Sequence, residues 1–253
     1  MSPAGSVFAV GREGSPPKRQ NILRKHAMCS RYSLTSPPQA VRQTFGVFNK
    51  EEFPPRYNIA PTQPVLIVRN SLRHERELVL VRWGLIPSWV KDPNDFATLI
   101  NARAETATVK PSFRAAMRHR RCLVPANGFY EWTGPKGAKQ PHLVRPRDGG
   151  VMAMAGIFEH WLGADGSEIE TMAILTVAAN ETMRPIHDRM PAILPPEAFE
   201  LWLDCQSGSS VPVEGLLTPA PNDLLEVMPV SKAINNPRNE GSGVLEKSAG
   251  DRG

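Results

Sequence analysis

Short β-branched and aromatic runs, each closed by proline, glycine, asparagine or aspartate, dominate the hydrophobic pattern of this 253-residue chain. Runs of roughly four to eight such residues predict strands. Six stand out: Val65–Arg69, Leu78–Leu85, Cys122–Pro125, Phe129–Trp132, Val151–Phe158 and Met172–Ala178. Helical spacing is rarer. Ser36-Pro37 reads as an N-cap followed by proline in the first turn, with Val41 and Phe45 giving an apolar face before Gly46. Lys110–Arg121 sets Phe113, Ala116 and Met117 on one side, with Arg114, Arg118, Arg120 and Arg121 reading as a solvated helix face; Pro196–Leu203 is a third helix. Strands outnumber helices without alternating regularly with them. That predicts an α+β fold on a mainly antiparallel, barrel-like sheet, not a doubly wound one.

Composition sets the boundaries. Residues 1–27 are rich in Gly, Pro, Ser and basic residues and lack an apolar signal core, so a disordered extension or a mis-assigned start is expected there. Residues 28–240 form one domain, and 241–253 read as a disordered tail. No apolar run reaches the roughly 18 residues of a membrane helix. Cys29, Cys122 and Cys205 are odd in number and far apart, which argues against a disulfide framework or a zinc site and for a reducing, cytoplasmic setting. The first 27 residues carry five bases against one acid, +4 of the chain's +5. The remainder is polarised: Arg56–Arg121 holds twelve bases against five acids, while six acids and no base lie between Arg189 and Lys232. A basic half of this kind suits a polyanionic partner such as nucleic acid.

Four stretches carry chemistry: MCSRY (28–32), INARAET (100–106), NGFYEW (127–132) and IHDRMP (186–191). Cys29 directly follows an internal methionine. With translation from Met28 and removal of that methionine, it would carry both an α-amine, with a pKa of about 8, and a thiol of about 8.5. Such a pair adds twice to one aldehyde carbon, the amine giving a Schiff base and the sulfur then closing a five-membered thiazolidine. His187 suits proton transfer, and Glu131, between Tyr130 and Trp132, is a carboxylate that is costly unless paired or used. Asn101 can donate to an alkoxide without titrating. Arg31, Arg103 and Arg189 each follow one of these groups by two residues, a placement suited to phosphates. Each also has an ordinary reading: a buried cysteine as a small hydrophobe, His187 bonded to a backbone carbonyl, Asn101 and Asn127 in turns, Trp83 and Trp89 in the core. Cys122 and Cys205 read as structural.

MCSRYS, RYNIAPTQPV, VRWGLIPSW, INARAET, RRCLVPANGFYEW, IHDRMP and VSKAINNPRNEG, in this order over about Met28 to Gly241, resemble the SOS response-associated peptidase (SRAP) family. The resemblance implies a compact α+β fold and covalent crosslinking to abasic sites in single-stranded DNA, with lyase-like Schiff-base chemistry and a peptidase activity toward its own N-terminus. It implies Cys29 as the N-terminal residue forming the thiazolidine, with Asn101, Glu131 and His187 completing the catalytic set. Glu131 would assist Schiff-base formation and crosslink reversal, and His187 the proton transfers. Arg31, Arg103 and Arg189 would contact phosphates, and Pro61, Trp83 and Trp89 would lie where neighbouring bases are separated and stacked. Single-stranded DNA containing abasic sites is the implied partner. No cofactor, metal or membrane is expected, and the chain is expected to act as a monomer in the cytoplasm, on the nucleoid in a bacterium.

Two departures stand out. Ser30 replaces the family's glycine, and residues 1–27 leave the Cys29 nitrogen an amide, unable to form a Schiff base. A true start at Met28 is the expected resolution, ahead of removal of the extension or a copy that does not crosslink. Two other functions fit the same residues: a thiol peptidase or amidase using Cys29 and His187, and a non-covalent single-strand binding module.

Overall fold

The computed structural model describes residues 29–206 and 211–246. In chain order these form β1 (Tyr32–Leu34), α1 (Pro38–Phe45), β2 (Arg56–Ile59), β3 (Pro64–Asn70), β4 (Arg76–Trp83), β5 (Asn101–Arg103), α2 (Ala104–Ala107), α3 (Arg114–His119), β6 (Arg121–Ala126), β7 (Gly128–Thr133), β8 (Gln140–Pro146), β9 (Met152–Leu162), β10 (Glu168–Ala178), β11 (Arg189–Pro191), β12 (Ile193–Leu194), α4 (Phe199–Leu203), α5 (Val211–Glu214) and β13 (Leu225–Pro229). The reading of residues 1–27 lies outside the described residues.

Five strands close on themselves. β10 runs parallel to β4 at Thr171↔Arg82 and Met172↔Trp83, and the ring continues antiparallel through β3, β6 and β9 back to β10. Closure removes the unpaired edges an open sheet would expose. The expected barrel is therefore present, with one parallel seam in it. β5 also runs parallel to β10, with Asn101 opposite Ile174. Ile67, Val124, Met154 and Ile174 share one face of the ring and belong to the core. A Cβ on Gly156 of β9 would meet Cys122 Sγ and Val124 at 2.9 Å, so only glycine lets β6 and β9 approach this closely.

A second, wholly antiparallel sheet has the order β13-β8-β7-β1-β2. One residue, Asn127, separates barrel strand β6 from β7 of this sheet. Its Oδ1 accepts the Thr35 and Ser36 amides (2.8 and 2.9 Å), and its Nδ2 donates to Ser36 Oγ (2.8 Å) and the Gly150 carbonyl (3.4 Å). It is thus a corner brace that ties the end of β1 to the start of β7.

The structure corrects several expectations. α1 ends as expected at left-handed Gly46 (φ 63°), but its N-cap is Pro37 with no side-chain bond, because Ser36 is engaged by Asn127. The expected helix Lys110–Arg121 is helical only over Arg114–His119. Arg121 begins β6 and is buried, not solvated: its guanidinium donates to the carbonyls of Met117, Arg118, Trp202 and Asp204, where α3 and α4 end. Helix C-termini leave such carbonyls without intrahelical donors, and one arginine serves two of them. Arg121→Met is expected to cost about 3 kcal/mol in urea denaturation, since it strands several buried acceptors. Ser242–Leu245 forms a 3-10 turn whose Val244 packs into a small cluster with Tyr130, Leu143, Val230 and Ile234.

Candidate functional site

Cys29 immediately precedes β1, and pairing of Tyr32 and Ser33 with Phe129 and Gly128 of β7 sets the Cys29 main chain against that strand. The Cys29 N–H donates to Glu131 Oε1 at 2.5 Å, and the thiol is fully buried. Cys29 adopts φ 47°, in the left-handed region that residues bearing a Cβ seldom enter. Such strain persists only where surrounding contacts hold it, and it concentrates at functional sites.

Glu131 is 5% exposed. Burial is the main cause that pushes its carboxyl up to about 7; the Cys29 and Trp132 amides and the Lys139 charge pull it down, while Asp188 adds to the rise. The Cys29 thiol is also pushed up, first by burial and then by Glu131, so it stays protonated at neutral pH. Asn101 comes from β5, whose position is fixed by β10 and by Trp83 Nε1 donating to the Ile100 carbonyl (2.9 Å). Its Nδ2 lies 3.5 Å from the Cys29 carbonyl oxygen. His187 stands on the turn between β10 and β11. Its Nδ1 accepts the Arg189 amide at 3.0 Å and lies 2.8 Å from Asp188 Oδ1. The amide calls for a lone pair on Nδ1 and the Asp188 oxygen for a proton there, so the two contacts compete for the tautomer. Asp188, on this turn, contributes the smallest of the effects on the Glu131 carboxyl, a rise through its charge.

The residues expected at phosphates differ in their surroundings. Arg103 is exposed at the end of β5. Arg31 is half-buried, with Nη1 donating to Asn58 Oδ1 (2.7 Å) and the Ile234 carbonyl (2.9 Å). Arg189 is held by both oxygens of Glu105 (2.5 and 2.8 Å) and by the Thr176 carbonyl. Sequence reasoning missed Glu105, Asp188 and Asn58 as partners, although all three lie inside the quoted blocks. Pro61 is half-buried in the turn between β2 and β3, beside left-handed Thr62 (φ 73°). Trp83 is corrected outright as a stacking surface: it is fully buried, edge-on to Tyr32 (5.2 Å between ring centres). Trp89 is 57% exposed and edge-on to Phe96, which leaves indole surface open to a base. Among the described residues no group of three or more His, Cys, Asp or Glu is placed to hold a metal ion, and no helix is long and apolar enough to cross a membrane.

Comparison with known proteins bears on this geometry. The abasic site processing protein YoaM of Bacillus subtilis is 38% identical over 223 residues, 87% of this chain and 98% of its own length. The abasic site processing protein YedK of Escherichia coli is 34% identical, covering 76% of this chain and 84% of its own, and HMCES of Xenopus tropicalis is 32% identical, covering 84% and 76%. A crystal structure of a Bacteroides thetaiotaomicron protein superposes with a TM-score of 0.77 at 28% identity, covering 87% of this chain and all of that one. Residues 28–237 match the family described as SOS response associated peptidase (SRAP). The chain belongs to the SRAP family.

Proposed function

We propose that this protein processes abasic sites in DNA by covalent attachment, with Cys29 as the attacking residue on single-stranded substrate. The relatives named abasic site processing proteins support the substrate class. The observation that carries the chemistry is the Cys29 nitrogen held 2.5 Å from a buried carboxylate. With the bond to Met28 absent, that nitrogen is an amine of pKa about 8, and a carboxyl titrating at about 7 is well matched to take its proton. The neutral amine adds to the C1′ aldehyde of the ring-opened sugar, and the resulting carbinolamine loses water to an imine. The Cys29 sulfur then attacks the imine carbon while its proton passes to nitrogen, closing the thiazolidine. Asn101 donates toward the developing alkoxide, and His187 carries protons to and from the sugar oxygens. Arg103 and Trp89 hold the flanking strand as a phosphate contact and a stacking surface. Arg31 and Arg189 would meet phosphates on the edges their protein partners leave open, Pro61 would lie against the base beside the lesion, and the chain acts as a monomer.

The test uses protein begun at Met28 with the methionine removed, and an oligonucleotide carrying one abasic site made by uracil glycosylase. A band that survives denaturing electrophoresis supports the reading; its absence refutes it. Arg103→Ala is expected to raise the half-saturating DNA concentration and to flatten the dependence of log affinity on log salt by about 0.7, as loss of one single-strand phosphate contact requires. Thiol peptidase chemistry is disfavoured by the protonated, fully buried Cys29 thiol, since such enzymes need a thiolate.

A further inference from the structure

Asn58, in β2, is fully buried, and its amide joins three distant parts of the chain. Oδ1 accepts from Arg31 Nη1 at 2.7 Å. Nδ2 lies within hydrogen-bond distance of the Ile234 (3.3 Å), Asn236 (2.9 Å) and Asn239 (2.9 Å) carbonyls. Arg31 Nη1 donates to the same Ile234 carbonyl, so Arg31 and the 234–239 loop are locked to one another as well as to β2. The loop then reaches the strand that bears Glu131: Asn235 Oδ1 accepts from Trp132 Nε1 at 2.7 Å. Beside Asn58, the Tyr57 carbonyl accepts from Tyr130 Oη (2.7 Å), and the Tyr57 amide donates to Glu240 (2.9 Å). Tyr130 and Trp132, the two neighbours of Glu131, pack into the small apolar cluster that includes Ile234, on the strand face opposite the carboxylate.

Resting on the abasic-site reading, we propose that Asn58 is a positioning residue for the Cys29–Glu131 pair, acting through the Ile234–Asn239 loop. The loop grips Arg31, two residues after Cys29, and Trp132, one residue after Glu131. These are the segments whose separation sets how far the Cys29 nitrogen stands from the carboxylate. A buried amide is suited to this task because it serves acceptors and a donor at once without titrating. The loop needs such a clasp, since its own turn supplies few partners for the carbonyls it turns inward.

Two variants test the proposal: Asn58→Ala, which opens the clasp, and Asn235→Ala, an exposed change that cuts only the link to Trp132. Hydrogen exchange of the Cys29 amide in the full chain reads the geometry without DNA. It is expected to be about tenfold faster in Asn58→Ala and to move the same way in Asn235→Ala, because that amide is protected by Glu131. In crosslinking, Asn235→Ala is expected to lower the maximal rate about fivefold at unchanged half-saturating DNA, as misplacement of reacting groups does. Arg31→Ala, which removes a grip on the loop as well as a phosphate contact, is expected to raise the half-saturating concentration and to lower the maximal rate together. Unchanged exchange in both variants overturns the proposal, and so does a change in half-saturation without one in maximal rate. A wild-type protein that forms no crosslink would instead refute the functional reading, while the exchange rates would still decide the role of Asn58.

Discussion

Replacing Cys29 by alanine, in protein begun at Met28, is expected to abolish the heat-stable DNA adduct while leaving a weaker, trappable one. Alanine is small enough to allow removal of the preceding methionine, so the variant keeps a free α-amine beside Glu131. That amine can still form an imine with the sugar aldehyde. It has no sulfur to close the ring, so the imine hydrolyses when the protein is denatured. Denaturing gels should show loss of at least about a hundredfold of the spontaneous band, a change of about 3 kcal/mol or more in the stability of the product. With borohydride present during the reaction, the imine is reduced to an amine and a band returns. A spontaneous, heat-stable band from Cys29→Ala would rule out the thiazolidine. Failure to trap any band would show that the nitrogen does not attack at all, and would favour non-covalent binding.

Glu131→Gln is expected to slow crosslinking by about 10²-fold or more, the usual worth of a positioned acid–base group. It should also flatten the rate profile. In the wild type the rate rises as pH rises through about 7, because the carboxylate form is the one that accepts the proton of the amine. Glutamine has no such transition, which leaves only the rise through about 8 that comes from the amine itself. The same substitution has an opposite effect on stability. Folding raises the Glu131 pKa from 4.5 to about 7, so the folded state binds this proton more tightly than the unfolded state. The stability is therefore complete below the unfolded value and is lost as pH rises through the folded one. Above pH 7 the buried carboxylate costs of order 3 kcal/mol, since each tenfold change in proton affinity is worth about 1.4 kcal/mol. Urea denaturation should find Glu131→Gln more stable than wild type at pH 8 by up to that amount, with little difference near pH 4. Equal stability at both values would show that the carboxylate is not held in a poorly solvated place.

The hydrophobic pattern revealed the barrel and left the second sheet largely hidden. β3, β6, β9 and β10 are buried on most of their length, and their continuous apolar runs announce them, as the LVLV run announces the less buried β4. β1 and β5 have three residues each, and β13 alternates weakly, so their pairing is decided by neighbours far away in the chain. Arg121 was misjudged for a related reason. An arginine in an arginine-rich stretch looks solvated until the helix ends it serves are brought next to it. Cys29, Asn101, Glu131 and His187 were legible as unusual residue types beside glycine, proline or arginine. What was not legible was the supporting layer. Asn58, Asn127 and Glu105 are ordinary polar residues whose value lies in partners tens of positions or more away. Trp83 illustrates the converse, since its motif drew it toward DNA while its indole is sealed inside the barrel.

The bond between the Cys29 nitrogen and Glu131 spans 102 residues of sequence, and the clasp at Asn58 reaches 181 residues to Asn239. Contacts of such separation carry a large loop-closure cost and assemble slowly compared with hairpins such as β9–β10. Glu131 therefore meets the Cys29 nitrogen only when the fold is essentially complete. On the proposed chemistry, a chain still emerging from the ribosome, or one partly unfolded, would carry the aminothiol without its base. Timing is thus written into the topology: on the proposed chemistry, the chain would become a competent aldehyde trap at the end of its own maturation, not before.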